Sequence, residues 1–287
     1  LSSSSAASDV YKRQVPRRVV TRVPLASAAA RSGPRSGPAG LGVVLAARGR
    51  NRDEKNGATQ VFWQVGARRA RAGGSSGGTV ASARYAALEV LAQLLEQPAY
   101  STLRTKEQLG YAVGAGISEV DGAVGMFIAV QSAVAPPLAV AARIDAFLRD
   151  FDSELAKTSS VQLGTVVVSL ARAKREKARR LAQQAGRFWL EVARGEYLFS
   201  RAEEEAAALE RVQLDDVVRL YRERILPGGA SVRRITALVE PAAGAAARRE
   251  EGGLANVADV TPVDPLALRE TLGVLARPRV DEDVDGP

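Results

Sequence analysis

The sequence contains no histidine, no cysteine and a single methionine, Met126, among its 287 residues. Without His or Cys the chain can form no zinc finger, no disulfide and no catalytic Ser–His or Cys–His pair. Any metal site within these residues would have to use oxygen ligands alone. Because the sequence starts at Leu1 and its one Met lies deep inside it, we expect a fragment of a longer protein.

Long apolar runs are also missing. None approaches the roughly 20 residues that a membrane helix requires, so we expect no membrane segment. Apolar residues make up 46% of the chain and charged residues 25%, which is typical of a globular domain that folds in water. The net charge of +8 at pH 7 favours acidic partners in general and not DNA in particular. The lack of Cys fits a reducing compartment, and we expect a cytoplasmic protein.

Composition divides the chain into four parts. Residues 1–14 are a Ser- and Ala-rich run without periodicity, which we interpret as an adaptor-derived or disordered tail. Residues 15–42 form a basic, partly disordered linker rich in Pro, Gly and Ser. Residues 43–241 carry the periodic patterns of a folded domain. Residues 242–287 are rich in Ala, Gly and Arg and end in an acidic run, so we predict a disordered tail.

Six segments have the composition and alternation of β-strands. They are Val19–Val23, Leu41–Ala47, Thr59–Val65, Tyr111–Ser118, Ala123–Gln131 and Ser231–Val239. Asp121-Gly122 separates two of them and is typical of a tight hairpin turn, since both turn positions tolerate a positive φ. The strand over 123–131 is apolar on both faces, which predicts a central, covered position in the sheet.

Helical periodicity begins at Ser82, and we expect Pro98 to end that helix. Ser101 or Thr102 can cap a short second helix, for which Gly110 is a natural residue just past the C-terminus. Further helices are predicted to start at Pro136-Pro137 and at Ser159 or Ser160. A later apolar stripe, predicted to pack in the core, comprises Leu181, Ala185, Phe188, Trp189 and Val192.

Strands and helices segregate along the chain. The order is two strands, a helix, a hairpin, several helices and a last strand. This order predicts the α+β class, with helices packed on one face of a mainly antiparallel sheet.

The most informative segment is LRTKEQLGY at 103–111. It resembles a signature in the C-terminal half of the insulysin, pitrilysin and nardilysin family, the zinc metallopeptidases with an inverted H-x-x-E-H motif. The similarity extends in order from Val43 to Pro241 without large gaps. It includes residues 48–64, 94–102, 122–132, 187–192, 197–201 and 212–217.

This resemblance implies the fourth of four homologous α+β domains, which face the zinc-bearing first domain across a closed chamber. Zn2+ would then be held in the full-length enzyme by ligands outside this chain. The implied partners are a peptide substrate and the missing N-terminal catalytic half, and a homodimer stays open. Arg104 and Tyr111 match an Arg and a Tyr that reach the substrate near the scissile bond. The resemblance therefore implies substrate-binding residues but no catalytic residue and no metal ligand within this chain.

The residue types suit this role. Arg104 carries five N–H donors in a fork, suited to peptide carbonyls or a developing oxyanion, and Tyr111 adds a neutral phenolic donor. Without the resemblance, Arg104 would be interpreted as a solvated helix residue and Tyr111 as a strand aromatic in the core.

Three functions compete. The resemblance favours a substrate-contacting and chamber-closing domain of a zinc metalloendopeptidase, inactive by itself. The alternative is a metal-free scaffold or regulatory homologue of the same superfamily. A third hypothesis is a basic nucleic-acid-binding module, and it depends on the run RAKREKARR at 172–180. We interpret this run as a solvated helix end. We therefore do not expect nucleic acid as a partner.

Overall fold

The computed structural model describes residues 42–67, 78–120, 123–194 and 197–242. The strand predicted at Val19–Val23, the Asp121-Gly122 turn, and the tails 1–14 and 243–287 lie outside this part. None of the helices within it is both long and apolar enough to cross a bilayer.

Five strands form one mixed sheet with the order β1-β5-β2-β4-β3. Their bounds are β1 Val43–Arg48, β2 Gly57–Ala67, β3 Ala112–Val120, β4 Ala123–Ser132 and β5 Arg234–Glu240. β1 runs parallel to β5, and every other neighbouring pair is antiparallel. The strand over 123–131 lies inside the sheet as predicted, because β4 pairs with β2 on one side and β3 on the other. Its predicted cover on both faces is wrong: Met126 and Ile128 are buried, whereas Phe127 and Ala129 on the opposite face are only half-buried.

The described residues also contain six α-helices. Their bounds are α1 Gly78–Ala99, α2 Pro137–Leu155, α3 Ser160–Arg175, α4 Leu181–Arg194, α5 Arg201–Leu209 and α6 Leu214–Arg224. Pro137 opens α2 at its first position, and the Ser159 side chain accepts a 3.2 Å hydrogen bond from the Gln162 backbone N–H to cap α3. Both of these predicted helix starts are confirmed.

The hydrophobic core lies between one face of the sheet and the helices. Alternate residues of β2, Val61, Trp63 and Val65, point into it and are buried. They meet buried side chains of α1, α2 and α6, such as Leu91 and Ile144. The α+β class, with helices on one face of a mainly antiparallel sheet, is therefore confirmed.

A buried ion pair joins α2 to β5. Arg234 Nη1 donates to Asp145 Oδ1 at 2.6 Å, and Arg234 Nε donates to Thr236 Oγ1 at 3.0 Å. Burial raises the pKa of the Asp145 carboxyl, and the opposite charge of Arg234 counteracts that rise. The pair links α2 to β5, and removing either side chain would break a buried ion pair, which is strongly destabilising.

The prediction that Pro98 ends the first helix is wrong. α1 passes through Pro98 to Ala99 and continues directly into a π-helical segment, Tyr100–Lys106. A proline removes one helical hydrogen bond and crowds the preceding turn, and here the wider π-helical turn follows at once. Because Ala99 keeps helical dihedral angles, Ser101 and Thr102 lie inside a continuous helix and cap no N-terminus.

The prediction that the stripe on α4 belongs to the core is also wrong. The helix forms as predicted, but every residue from 181 to 190 is exposed, including Trp189 at 70% and Leu181 at 85%. The periodicity of the stripe correctly predicts an amphipathic helix, but it does not specify what packs against the apolar face.

Candidate functional site

The π-helical segment determines where the predicted site lies. Leu103, in the middle of the segment, is fully buried, and Leu109, three residues past its end, is nearly so, which anchors the segment on the core. The Glu107 N–H donates to the Thr102 carbonyl at 2.9 Å, and the Leu109 N–H donates to the Leu103 carbonyl at 3.0 Å. These wide turns leave Arg104, next to the buried Leu103, at the half-exposed surface.

Gly110 has a different role from the one predicted. The π-helical segment ends at Lys106, and Gln108, not Gly110, takes the left-handed conformation with φ of 50°. Gly110 instead passes so close to β4 that a methyl group there would overlap the Gln131 carbonyl. The missing side chain therefore lets the chain turn tightly against β4 before β3 begins.

Three side chains meet where this segment joins β3. The Arg104 guanidinium carbon lies 4.7 Å from the ring centroid of Tyr100 and 4.7 Å from that of Tyr111. Both distances are within the range of cation–π attraction. Tyr111 is 86% exposed and Tyr100 37%, so the cluster opens to solvent. Arg104 is therefore held in place by two rings and not by a carboxylate.

The charge of Arg104 remains available to a ligand. It forms no salt bridge with any residue in the described ranges. The carboxylate three residues later, Glu107, is held by Arg143, whose Nε and Nη2 donate to it at 2.9 and 2.5 Å. These hydrogen bonds raise the pKa of Arg143. Glu107 is thus occupied by another cation, and the Arg104 donors can bind a carbonyl or a carboxylate.

The structure brings together Arg104 and Tyr111, the two residues that the resemblance assigns to the substrate. The resemblance does not single out Tyr100, although the signal is present in the sequence. Tyr100 precedes Arg104 by four residues, a spacing that brings side chains together along a helix. Because a helix end was predicted at Pro98, Tyr100 was expected in a loop, and its helical spacing from Arg104 was not considered.

The basic run at 172–180 forms the end of α3 and the turn after it, as predicted. Lys174 Nζ lies 2.5 Å from Glu89 and 2.7 Å from Glu205. Burial alone would lower the pKa of Lys174, but the hydrogen bonds to these two carboxylates outweigh it and raise that pKa. Arg175 binds Glu203 at 2.8 Å and also pairs with Glu210. The two central cations of the run are thus used within the domain.

Comparison with known proteins agrees with this fold. Residues 90–189 match the family model of the PQQ synthase PqqF-like C-terminal lobe, domain 4. The human insulin-degrading enzyme is 30% identical over 138 residues, which are 48% of this chain and 13% of the relative. The enzyme from Drosophila melanogaster is 36% identical over 146 residues, 51% of this chain and 15% of the relative. The crystal structure of pitrilysin superposes with a TM-score of 0.56 at 18% identity, covering 69% of this chain and 19% of that one.

The fold and these matches define the chain as an α+β domain homologous to hydrolases of the metallopeptidase class. Within that class it is similar to insulin-degrading enzyme and nardilysin, and its matched residues 90–189 correspond to a C-terminal lobe domain. The chain spans only 13–15% of the length of the insulin-degrading enzymes it matches.

Relatives in this family are zinc metallopeptidases, but the residues of this chain do not fit zinc. Protein zinc sites combine His, Cys and carboxylate ligands, and the sequence has neither His nor Cys. Across the described residues, no group of three or more Asp or Glu side chains converges where a metal ion could sit. No step of peptide hydrolysis is therefore assigned to these residues.

Proposed function

We propose that this chain is the substrate-contacting domain of a zinc metalloendopeptidase and closes the chamber of that enzyme. Zinc and its general base would lie in an N-terminal half outside these residues. The observation that carries the proposal is the Arg104 guanidinium, held between Tyr100 and Tyr111 at a solvent-exposed end of the sheet. Similarity to insulin-degrading enzyme and nardilysin supports a peptide as the ligand.

The geometry suits the binding of a peptide backbone. An aromatic ring attracts a guanidinium through its face, whereas the N–H donors point outward in the guanidinium plane. Two rings can therefore restrain Arg104 without using its donors. Arg104 would donate to a carbonyl of the bound peptide, and the exposed Tyr111 hydroxyl would add a second donor. Holding the peptide in one orientation lowers the entropic cost of the reaction at the metal.

This assignment is tested by replacing Arg104 in the full-length protein. A charged hydrogen bond contributes about 1.5–3 kcal/mol, so Arg104→Ala should lower kcat/KM roughly ten- to hundredfold. Arg104→Lys should recover only part of that loss, since an ammonium lacks the planar fork. The matched control is Arg52→Ala, which removes an exposed Arg from the β1–β2 loop. Unchanged kinetics in a folded Arg104→Ala protein would remove Arg104 from the substrate site.

The competing function is a metal-free scaffold or regulatory homologue. The described side chains hold no metal-binding cluster, which both functions expect of this domain. The two functions differ in the sequence that precedes this domain in the full gene. An intact H-x-x-E-H motif with a downstream Glu would support the peptidase, and a degenerate motif would support the scaffold. Peptide hydrolysis by the purified full-length protein, abolished by a zinc chelator, would decide between them.

Nucleic-acid binding has less support. Lys174 and Arg175, the central cations of the basic run, already pair with carboxylates of the same domain. Nonspecific contacts to phosphates weaken steeply as the salt concentration rises. Binding of a DNA or RNA duplex that persists at moderate salt would therefore support a nucleic-acid-binding function.

A further inference from the structure

Three arginines meet near the end of β2, at the side of the sheet away from Arg104. They are Arg84 in α1, Arg224 at the end of α6 and Arg233 directly before β5. Arg84 is exposed, and Arg224 and Arg233 are half-buried. None of them forms a salt bridge with a residue in the described ranges. These three residues are called the arginine cluster below.

A bulge in β2 brings two members of the arginine cluster together. The pairing of β2 with β4 shifts register between Gln64 and Gly66, which marks a β-bulge. The Gln64 N–H donates to the Arg233 carbonyl at 2.9 Å, so Arg233 lies beside the bulge. A methyl group added to Gly66 would lie 3.6 Å from Nη1 of Arg84. The Arg84 guanidinium therefore lies against the same bulge.

The third member, Arg224, approaches from the end of α6. The Ser231 N–H donates to the Glu223 carbonyl at 3.0 Å, so the chain folds back from the helix end toward β5. This return brings Arg224 close to Arg233. Burial and the positive charges of Arg84 and Arg233 lower the pKa of Arg224, and the neighbouring Glu223 counteracts only part of this. The three like charges thus act on one another.

Neighbouring arginines in the sequence have carboxylate partners that the cluster lacks. Arg222 Nε donates to Asp152 Oδ1 at 2.8 Å. Arg234 Nη1 donates to Asp145 Oδ1 at 2.6 Å. In contrast, the Arg233 Nε–H is buried and has no hydrogen-bond acceptor among the described residues. Buried donors without an acceptor are rare in folded proteins, and a bound ion is one explanation for them.

We propose that the arginine cluster binds a phosphate-type oxyanion, either inorganic phosphate or the phosphate group of a phosphomonoester. A guanidinium presents a planar fork of N–H donors that matches two phosphate oxygens. A phosphate group carries about two negative charges and three acceptor oxygens, so one group can serve several arginines. A carboxylate offers less charge and fewer oxygens. The segment that joins β2 to α1, residues 68–77, contains no Asp or Glu that could replace the anion.

This site is separate from the one proposed for the peptide. Arg104 contacts Tyr111, directly before β3, and the first residue of β3 lies level with Ala58 of β2 across β4. Ala58 lies near the start of β2, whereas Gln64 marks the bulge near its end. At about 3.3 Å per residue, roughly 20 Å of strand separate the two positions. Anion binding at the arginine cluster therefore does not depend on the proposed peptidase function.

Isothermal titration calorimetry of the full chain with inorganic phosphate tests the proposal. We expect saturable binding that weakens as sodium chloride is added, since salt screens the charges. Arg84→Gln and Arg233→Gln should each raise the Kd about tenfold or more, because a hydrogen bond between charged groups is lost. The matched control is Arg52→Gln, which removes an equal charge from the exposed loop before β2. Its Kd should stay within about twofold of the parent value, since distant charges are screened.

Thermal unfolding separates loss of the site from loss of the fold. Arg84 is exposed and is repelled by the other two arginines, so Arg84→Gln should not lower the Tm in phosphate-free buffer. Phosphate that binds the folded chain should raise the Tm of the parent protein. The same phosphate should raise the Tm of Arg84→Gln much less. A normal Tm without phosphate, combined with a lost response to phosphate, would locate the binding site at Arg84.

Titration with O-phosphoserine identifies the source of the phosphate group. Binding tighter than that of inorganic phosphate would assign the arginine cluster to a phosphomonoester, and equal or weaker binding would assign it to free phosphate. Three results would overturn the proposal. They are the lack of saturable binding at millimolar phosphate, an equal Kd in the parent and in both cluster variants, and binding of glutamate as tight as that of phosphate. The last result would make the cluster a carboxylate site.

Discussion

Helices α2 and α4 have similar sequence patterns but opposite surroundings. Both carry large apolar residues at the three- and four-residue spacing of an amphipathic helix. In α2 those side chains, among them Ile144, Leu148 and Leu155, are almost completely buried. In α4 the corresponding Leu181 and Trp189 are exposed. An apolar stripe therefore predicts that a helix will contact something, but not that the contact lies within the same domain.

The two helices are also held by different forces. α2 lies against the sheet and α6, where Phe151 meets Tyr221 edge-to-face at 5.7 Å and the Tyr221 hydroxyl donates to the Leu148 carbonyl. Burial of apolar surface stabilises this contact. α4 is joined to the domain mainly through charged groups, the buried Glu191 and its partner Arg201. Substitutions in α2 should therefore act through lost apolar burial, and substitutions at the attachment of α4 through a broken ion pair.

The largest effect is expected at the charged attachment of α4. Arg201→Ala would remove the guanidinium that pairs with the buried Glu191 carboxylate, which should lower the free energy of unfolding by about 3–5 kcal/mol. Urea denaturation followed by circular dichroism measures this loss. The control is Arg219→Ala, which breaks the exposed pair with Asp216 and should cost less than about 1 kcal/mol. Equal losses in the two variants would show that α4 does not depend on this pair.

A loss of about 2–5 kcal/mol is expected for Leu148→Ala in α2, because the substitution opens a cavity in a fully buried site. The conservative control Leu148→Met should cost less than about 1.5 kcal/mol. Thermal and urea unfolding both report the difference. A loss below 1 kcal/mol would contradict the view that α2 is held by apolar burial.

Lys174 should show an intermediate effect that depends on pH. Lys174→Met removes its bonds to Glu89 and Glu205 and should cost about 1.5–3 kcal/mol at neutral pH. Because the folded pKa of Lys174 is raised, the stability it contributes is complete below the ordinary value of 10.5. That stability is lost as the pH rises through the raised pKa, so the two proteins should converge in strongly basic solution. A difference in stability that stays constant up to that range would contradict the ion-pair assignment.

The smallest effect is expected at the exposed face of α4. Trp189→Ala should change the free energy of unfolding of the domain by no more than about 0.5 kcal/mol. The comparison with Leu148→Ala is direct, since both changes remove a large apolar side chain from a helix. A loss of about 2 kcal/mol for Trp189→Ala would contradict the exposure of this face and require α4 to pack within the domain.

Local chemistry explains which parts of the fold could be predicted. The starts of α2 and α3 follow from Pro137 and Ser159, whose effects act within one helical turn. The central position of β4 follows from its two apolar faces. The passage of the helix through Pro98 was missed, because proline rules describe helix interiors and do not anticipate a switch to π-helical hydrogen bonding.

The candidate site was predicted only in part, for the same reason. Arg104 and Tyr111 come from a recognisable segment, and the structure brings their side chains together. Tyr100 completes the cluster only because the helix continues past Pro98. The exposure of Trp189 could not be read from the sequence at all, since burial depends on what packs against a helix.

The pairing of β1 with β5 has a consequence for how this domain is made. β1, near the start of the described domain, pairs with β5 at its end and with no other described strand. The ribosome releases β1 first, so this strand stays without a partner until almost the entire domain has been synthesised. Contacts so distant in the sequence slow folding, and an unpaired strand edge promotes aggregation in the meantime. Protection of the nascent chain should therefore matter most for this first strand.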